Sequence, residues 1–149
     1  MTRPVFSYRA DPAVPAFPDD KPLIVFDGLC VLCSASARFV LRHDRDGRFR
    51  LTAAQSTIGQ ALYRHLGLSP ADLDTFLLIE DGRAWFKSDA ALRVAARLGP
   101  PWSAAALLRV VPQRLRDAAY DVIARNRYRI FGRRQSCFLP EPRDAARVL

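Results

Sequence analysis

Cys30 and Cys33 are separated by two residues in the stretch Asp27-Gly28-Leu29-Cys30-Val31-Leu32-Cys33. Residues three apart on a helix are neighbours. One sulfur of such a pair can attack a substrate disulfide, and the other can then attack the first and release the reduced product. The apolar run Leu23-Ile24-Val25-Phe26 precedes the stretch and a helical pattern follows it, so Cys30 falls where a helix begins. Unpaired N–H groups and a partial positive charge at a helix N-terminus favour a thiolate. Cys30 is therefore the expected nucleophile. Cys33, one turn later and turned toward the core, is the expected resolving thiol. Asp27 has two readings: a general base or proton relay for Cys33 during resolution, or a turn and cap residue acting with Gly28. A carboxylate beside a thiol also opposes thiolate formation, which would push the two sulfurs apart in acidity.

Two other readings of the cysteines stay open. Buried cysteines often serve as small hydrophobes, and CxxC is half of a zinc site. Cys137, His43 and His65 are the remaining candidate ligands. His43 stands at the far end of the first helix, about 20 Å from Cys30 by helix rise, which suits a ligand poorly. His65 reads as a core or surface residue. No second CxxC completes a four-ligand pattern. Cys137 reads as a structural cysteine in a packed tail, or as a relay thiol if the tail folds back over Cys30.

The elements that must position these thiols follow from pattern. Leu23–Phe26 reads as a buried strand bounded by Pro22 and Asp27-Gly28. A helix runs from about Val31 to His43, with Cys33, Ala37, Val40 and Leu41 on one inward stripe. A strand over Phe49–Ala53 leads to a helix capped by Ser56 or Thr57 and ending near Leu66, with Ile58, Ala61, Leu62 and His65 on one face. Thr75–Glu80 is the next strand. Asp81-Gly82 signals a tight hairpin to Arg83–Lys87, since both positions tolerate positive φ. Ser88 is the expected cap of a helix to Leu98, ended by Gly99-Pro100-Pro101. The order β-α-β-α-β-β-α implies an α/β fold: a mixed sheet with helices on both faces, in the thioredoxin arrangement. Beyond it, Trp102–Val110 has helical composition, and a further helix runs from Pro112 to about Tyr128 with Leu115, Ala118, Ala119, Val122 and Ile123 on one face. Residues 1–22 form a proline-rich arm, extended or loosely docked and pinned by Phe6, Tyr8 and Phe17. Residues 23–99 form the core, and residues 100–149 a helical extension packed on it.

At 149 residues and 50% hydrophobic composition, the chain is expected to form one domain with its own core. No apolar run reaches the ~20 residues that span a bilayer. Met1–Asp20 lacks the apolar segment of a secretory signal, so a cytoplasmic location is expected. The net charge is +8, with 10 basic and 4 acidic residues in 101–149 against 13 and 11 in 1–100. Such a basic third can meet nucleic acid, anionic lipid or an acidic protein, but reads first as a solvated face, and neither nucleic acid nor membrane is the expected partner.

The sequence resembles the DCC (Asp-Cys-Cys) thiol-disulfide oxidoreductase family. The likeness rests on Phe26–Cys33, on Lys87-Ser88-Asp89-Ala90-Ala91, on Asn126–Arg133, and on Cys137 with Pro140. It covers about Leu23 to Pro140. It implies a thioredoxin-like fold and a disulfide reductase or oxidase acting through Cys30 and Cys33 with Asp27. No bound cofactor beyond the redox-active cysteine pair is expected. Partners would be a disulfide-containing protein or small thiol and a separate electron donor. The alternative is a metal- or partner-binding module without turnover. One departure from ordinary thioredoxins stands out. Their proline facing the CxxC, just before the third strand, is absent from the approach Leu73-Asp74-Thr75, which puts peptide-like docking in doubt and raises the metal alternative.

Overall fold

The computed structural model describes residues 6–17, 19–44, 47–68, 76–98, 102–132, 142 and 147–148. Leu23–Phe26 forms β1, and all four of its residues are buried. The helix α1 covers Val31–His43. Then come β2 (Arg50–Ala53), α2 (Thr57–His65), β3 (Leu77–Glu80) and β4 (Arg83–Phe86). α3 spans Lys87–Arg97, and a 3-10 helix over Trp102–Val110 leads to α4, Gln113–Phe131. The strands lie in the order β2-β1-β3-β4. β1 pairs parallel with β2 and antiparallel with β3, and β3–β4 is the expected hairpin. Its turn residues, Asp81 and Gly82, both have positive φ, at 50° and 78°. This is the α/β, thioredoxin-like mixed sheet that the element order implied.

Alternation along the strands builds two cores. Ile24, Phe26, Leu51 and Leu78 pack with Ala37, Val40, Leu41, Ala90 and Val94 of α1 and α3. Leu23, Val25, Leu77 and Ile79 pack on the opposite face with Ala61, Leu62 and Tyr63 of α2 and with Tyr8 and Val14 of the N-terminal arm. β1 is central and covered on both sides, so it reads as an unbroken apolar run rather than an alternating one.

The described part of the arm is docked, not loose. Tyr8 is 4% exposed and stacks on Phe17 at 5.2 Å. The N–H of Phe6 donates to Gly82 O at 2.9 Å, and Asp11 and Ser7 hold the two ring nitrogens of His65 at 2.8 Å each. Arg9 pairs with Asp19 at 2.7 Å, and the Tyr8 hydroxyl donates to the same carboxylate at 3.1 Å. The Arg9 guanidinium, ahead of the Tyr8 hydroxyl, holds the Asp19 carboxyl below the usual carboxylate range. A carboxyl with a depressed folded-state pKa stabilises the docked arm above the unfolded value of about 3.9, and loses that contribution as pH falls through the folded one. The arm is expected to loosen as pH falls below the ordinary carboxylate value of about 3.9. Tyr8 ring chemical shifts should report it, and Asp19→Asn should remove the transition at that ring.

Three local expectations change. β4 ends at Phe86, and Lys87, with φ 54°, already opens α3. Ser88 is not its cap: the N-cap position is Phe86, without a side-chain hydrogen bond, while the Ser88 hydroxyl donates to the Asp117 carboxylate of α4. The face of α4 expected to point inward is largely exposed, with Leu115 at 62% and Val122 at 53%. The physical reason is polar. Arg116 pairs with Asp89 at 3.0 Å, Lys87 with Asp121 at 2.8 Å, and the Phe76 N–H donates to the Tyr120 hydroxyl at 2.7 Å. These contacts turn Arg116, Tyr120 and the buried Ala124 toward α1 and α3 instead. Thus Lys87-Ser88-Asp89 clasps α4.

Candidate active site

Cys30 is the N-cap of α1. Its backbone is extended, and its Sγ accepts the Cys33 N–H at 3.3 Å, the role usually filled by a side-chain oxygen. The next N–H in that turn, on Val31, donates to Gly132 O at the end of α4 at 3.4 Å. Ser34 is buried, and its hydroxyl donates to Gly28 O at 3.3 Å, tying the turn to the helix. Both cysteines belong to this first turn of α1. Their exposure differs: Cys30 is 0% exposed, whereas Cys33 is partly exposed. Cys33 packs against the α1–α3 core as expected, but it also forms part of the wall of a partly open cavity of about 490 Å³ between α1, α3, α4 and the end of β1.

Asp27, 2% exposed, follows β1 directly. Its Oδ1 accepts the Leu29 N–H at 3.0 Å, the bond of a local turn, so the turn-forming reading describes its geometry. The same oxygen accepts Gln55 Nε2 at 2.6 Å, and Gln55 Oε1 accepts the Gly28 N–H at 2.9 Å. Asp27 also lines the cavity alongside Cys33. Gln55 escaped the sequence reading, although a signal existed. β1 and β2 are parallel neighbours, so residues just past their C-terminal ends meet, and that is where open α/β sheets carry their sites.

The other sequence candidates lie apart. His43 Nδ1 is 2.8 Å from Phe39 O, and its ring packs against Phe39 and Trp102. His65 is held by the arm on the opposite face of the sheet. Among the described residues no group of three or more His, Cys, Asp or Glu could hold a metal ion. Cys137, Pro140, the Leu73-Asp74-Thr75 approach, and the side chains of Tyr128 and Phe131 fall outside the described part of the structure. Among the described residues no helix is long and apolar enough to cross a membrane.

Fold and site together define a thioredoxin-like protein with a CxxC pair at the start of the first sheet-covering helix. The chain belongs to the DCC1-like thiol-disulfide oxidoreductase family, whose model matches residues 24–133. It is 40% identical over 127 residues to the uncharacterized protein YuxK of Bacillus subtilis (strain 168), covering 85% of this chain and 93% of that one. It is 38% identical over 122 residues to the DCC family protein At1g52590, chloroplastic, of Arabidopsis thaliana, covering 81% and 71% respectively. No solved structure matches the chain significantly.

Proposed function

We propose that the protein is a cytoplasmic thiol-disulfide oxidoreductase whose working unit is the Cys30–Cys33 pair. The observation that carries this reading is the N-cap itself, where a sulfur of one cysteine receives the N–H of the other within a single helical turn. In the reducing direction one thiolate attacks a substrate disulfide, forming a mixed disulfide and expelling the first substrate thiolate. The second cysteine, deprotonated, attacks the enzyme sulfur of that bond, closing Cys30–Cys33 and expelling the second substrate thiolate. Two electrons pass to the substrate. A thiol reductant restores the pair by the reverse exchange. We assign to Asp27, which lines the cavity alongside Cys33, the proton released by the Cys33 thiol, with Gln55 fixing the carboxylate.

The test is to equilibrate the protein with glutathione buffers of graded ratio and to map the linkages by mass spectrometry. A Cys30–Cys33 disulfide should form and disappear reversibly. If the two never pair at any potential, the proposal is lost.

A further inference from the structure

The cavity beside Cys33 adjoins the thiols, and its chemistry narrows what they meet. Its walls are apolar, with Phe26, Phe39, Val94, Leu98 and Ile123 among them. Its volume of about 490 Å³ falls within the range of small-molecule sites. A ~150 Å³ apolar cavity takes one benzene, so this one has room for roughly three such groups, or ~18 non-hydrogen atoms. The polar groups at its wall already hold hydrogen bonds within the protein: Asp27 Oδ1 accepts the Leu29 N–H at 3.0 Å and Gln55 Nε2 at 2.6 Å. The Ser36 hydroxyl donates to Leu32 O at 2.9 Å, and the Tyr120 hydroxyl accepts the Phe76 N–H at 2.7 Å. The Phe76 carbonyl accepts the Lys87 N–H at 3.0 Å. A peptide backbone lying in the cavity would therefore leave buried N–H and C=O groups without partners, which is costly. An apolar organic group meets no such penalty. Of the two sulfurs, Cys33 is the one that reaches the cavity, while Cys30 is fully buried at its helix cap.

We propose that this cavity is the substrate site and that the substrate is a small organic disulfide bearing apolar groups, attacked first by Cys33. The inference rests on the exchange reading above and reverses the order expected from sequence. The Cys33 thiolate attacks one substrate sulfur, the S–S bond breaks, and one organic thiolate leaves. The Cys30 thiolate then attacks Cys33 Sγ and releases the second organic thiolate, which the cavity had held. The protein pair is oxidised by two electrons and the substrate reduced by two.

The test oxidises the fully reduced protein with dibenzyl disulfide, bis(2-hydroxyethyl) disulfide or insulin. Each rate constant is normalised to that of free dithiothreitol with the same disulfide. The normalised value for dibenzyl disulfide should exceed both others by ~100-fold, the scale on which a fitted apolar pocket discriminates. Ala95→Phe, which fills the cavity from α3, should lower the dibenzyl value at least tenfold. In parallel, with no variant needed, bibenzyl should saturably protect Cys33 from iodoacetamide. Values within about threefold of one another, a faster reaction with insulin, or no protection by bibenzyl would overturn the substrate class while leaving the exchange reading intact. If none of the three disulfides closes the Cys30–Cys33 bond, the exchange reading itself falls.

Discussion

Cys30→Ser is expected to arrest the protein at a mixed disulfide on Cys33, with turnover lost by ~10³-fold or more, the scale seen when a nucleophile is removed. The reasoning is positional. Cys33 stands at the cavity wall and Cys30 is enclosed at the helix cap, so removing Cys30 leaves the attack on substrate possible and removes the attack that resolves it. Intact-mass measurement after dibenzyl disulfide should show one benzylthio group added, located on Cys33 by peptide mapping. Cys33→Ser should give no adduct on the same timescale. The reverse outcome, with Cys33→Ser trapping an adduct on Cys30, would restore the order expected from sequence and remove the cavity from the first step. Serine keeps a side-chain acceptor at the cap, so Cys30→Ser should not cost α1 its start, and the variant should fold.

Gly59→Ala should be the most damaging single-methyl change in the scaffold. Gly59 lies in the first turn of α2, where its N–H donates to the Ser56 hydroxyl at 3.0 Å. A Cβ there would stand 2.3 Å from Ala53 O and 2.9 Å from the Cα of Ala54. Both are backbone atoms, so no side chain can swing away. Alanine's better helix propensity returns only ~1 kcal/mol, against overpacking that costs ~1–3 kcal/mol or more. A net loss of up to about 2 kcal/mol is expected, read as a fall in Tm of up to ~4–8 °C for a domain of this size. The displaced segment is also the one that carries Gln55, whose amide bonds Asp27 and Gly28. Exchange should therefore slow in the fraction that remains folded. A variant with unchanged Tm and unchanged rate would show that α2 shifts outward without cost.

Much of this was readable from the residues alone. The run Leu23–Phe26 between Pro22 and Asp27-Gly28 admits little but a short buried strand, and the stripe through Ala37, Val40 and Leu41 needs a sheet beneath it. Asp81-Gly82 specifies its hairpin because few other dipeptides tolerate positive φ at both positions. What the residues did not reveal depends on where separate elements come to rest. Leu115 and Val122 form an apolar stripe at helical spacing, yet α4 turns that stripe outward because its polar partners, Lys87, Ser88 and Asp89, sit on a neighbouring helix. Gln55 carries no local signature at all, and only the parallel pairing of β1 with β2 brings it to Asp27. The cavity is likewise a property of the space between α1, α3 and α4, which no single segment encodes.

The way α4 is fastened has a consequence for how that space communicates with solvent. One wall of the cavity is held mainly by ion pairs and hydrogen bonds at its rim, and the helix already presents Leu115 and Val122 to water. Lifting it would exchange those contacts for hydration, with partly exposed pairs worth only ~0–1 kcal/mol each, and would uncover Ala124 and the cavity-facing side of Ile123. Raising ionic strength weakens the fastening, so even an uncharged guest would enter and leave at salt-dependent rates.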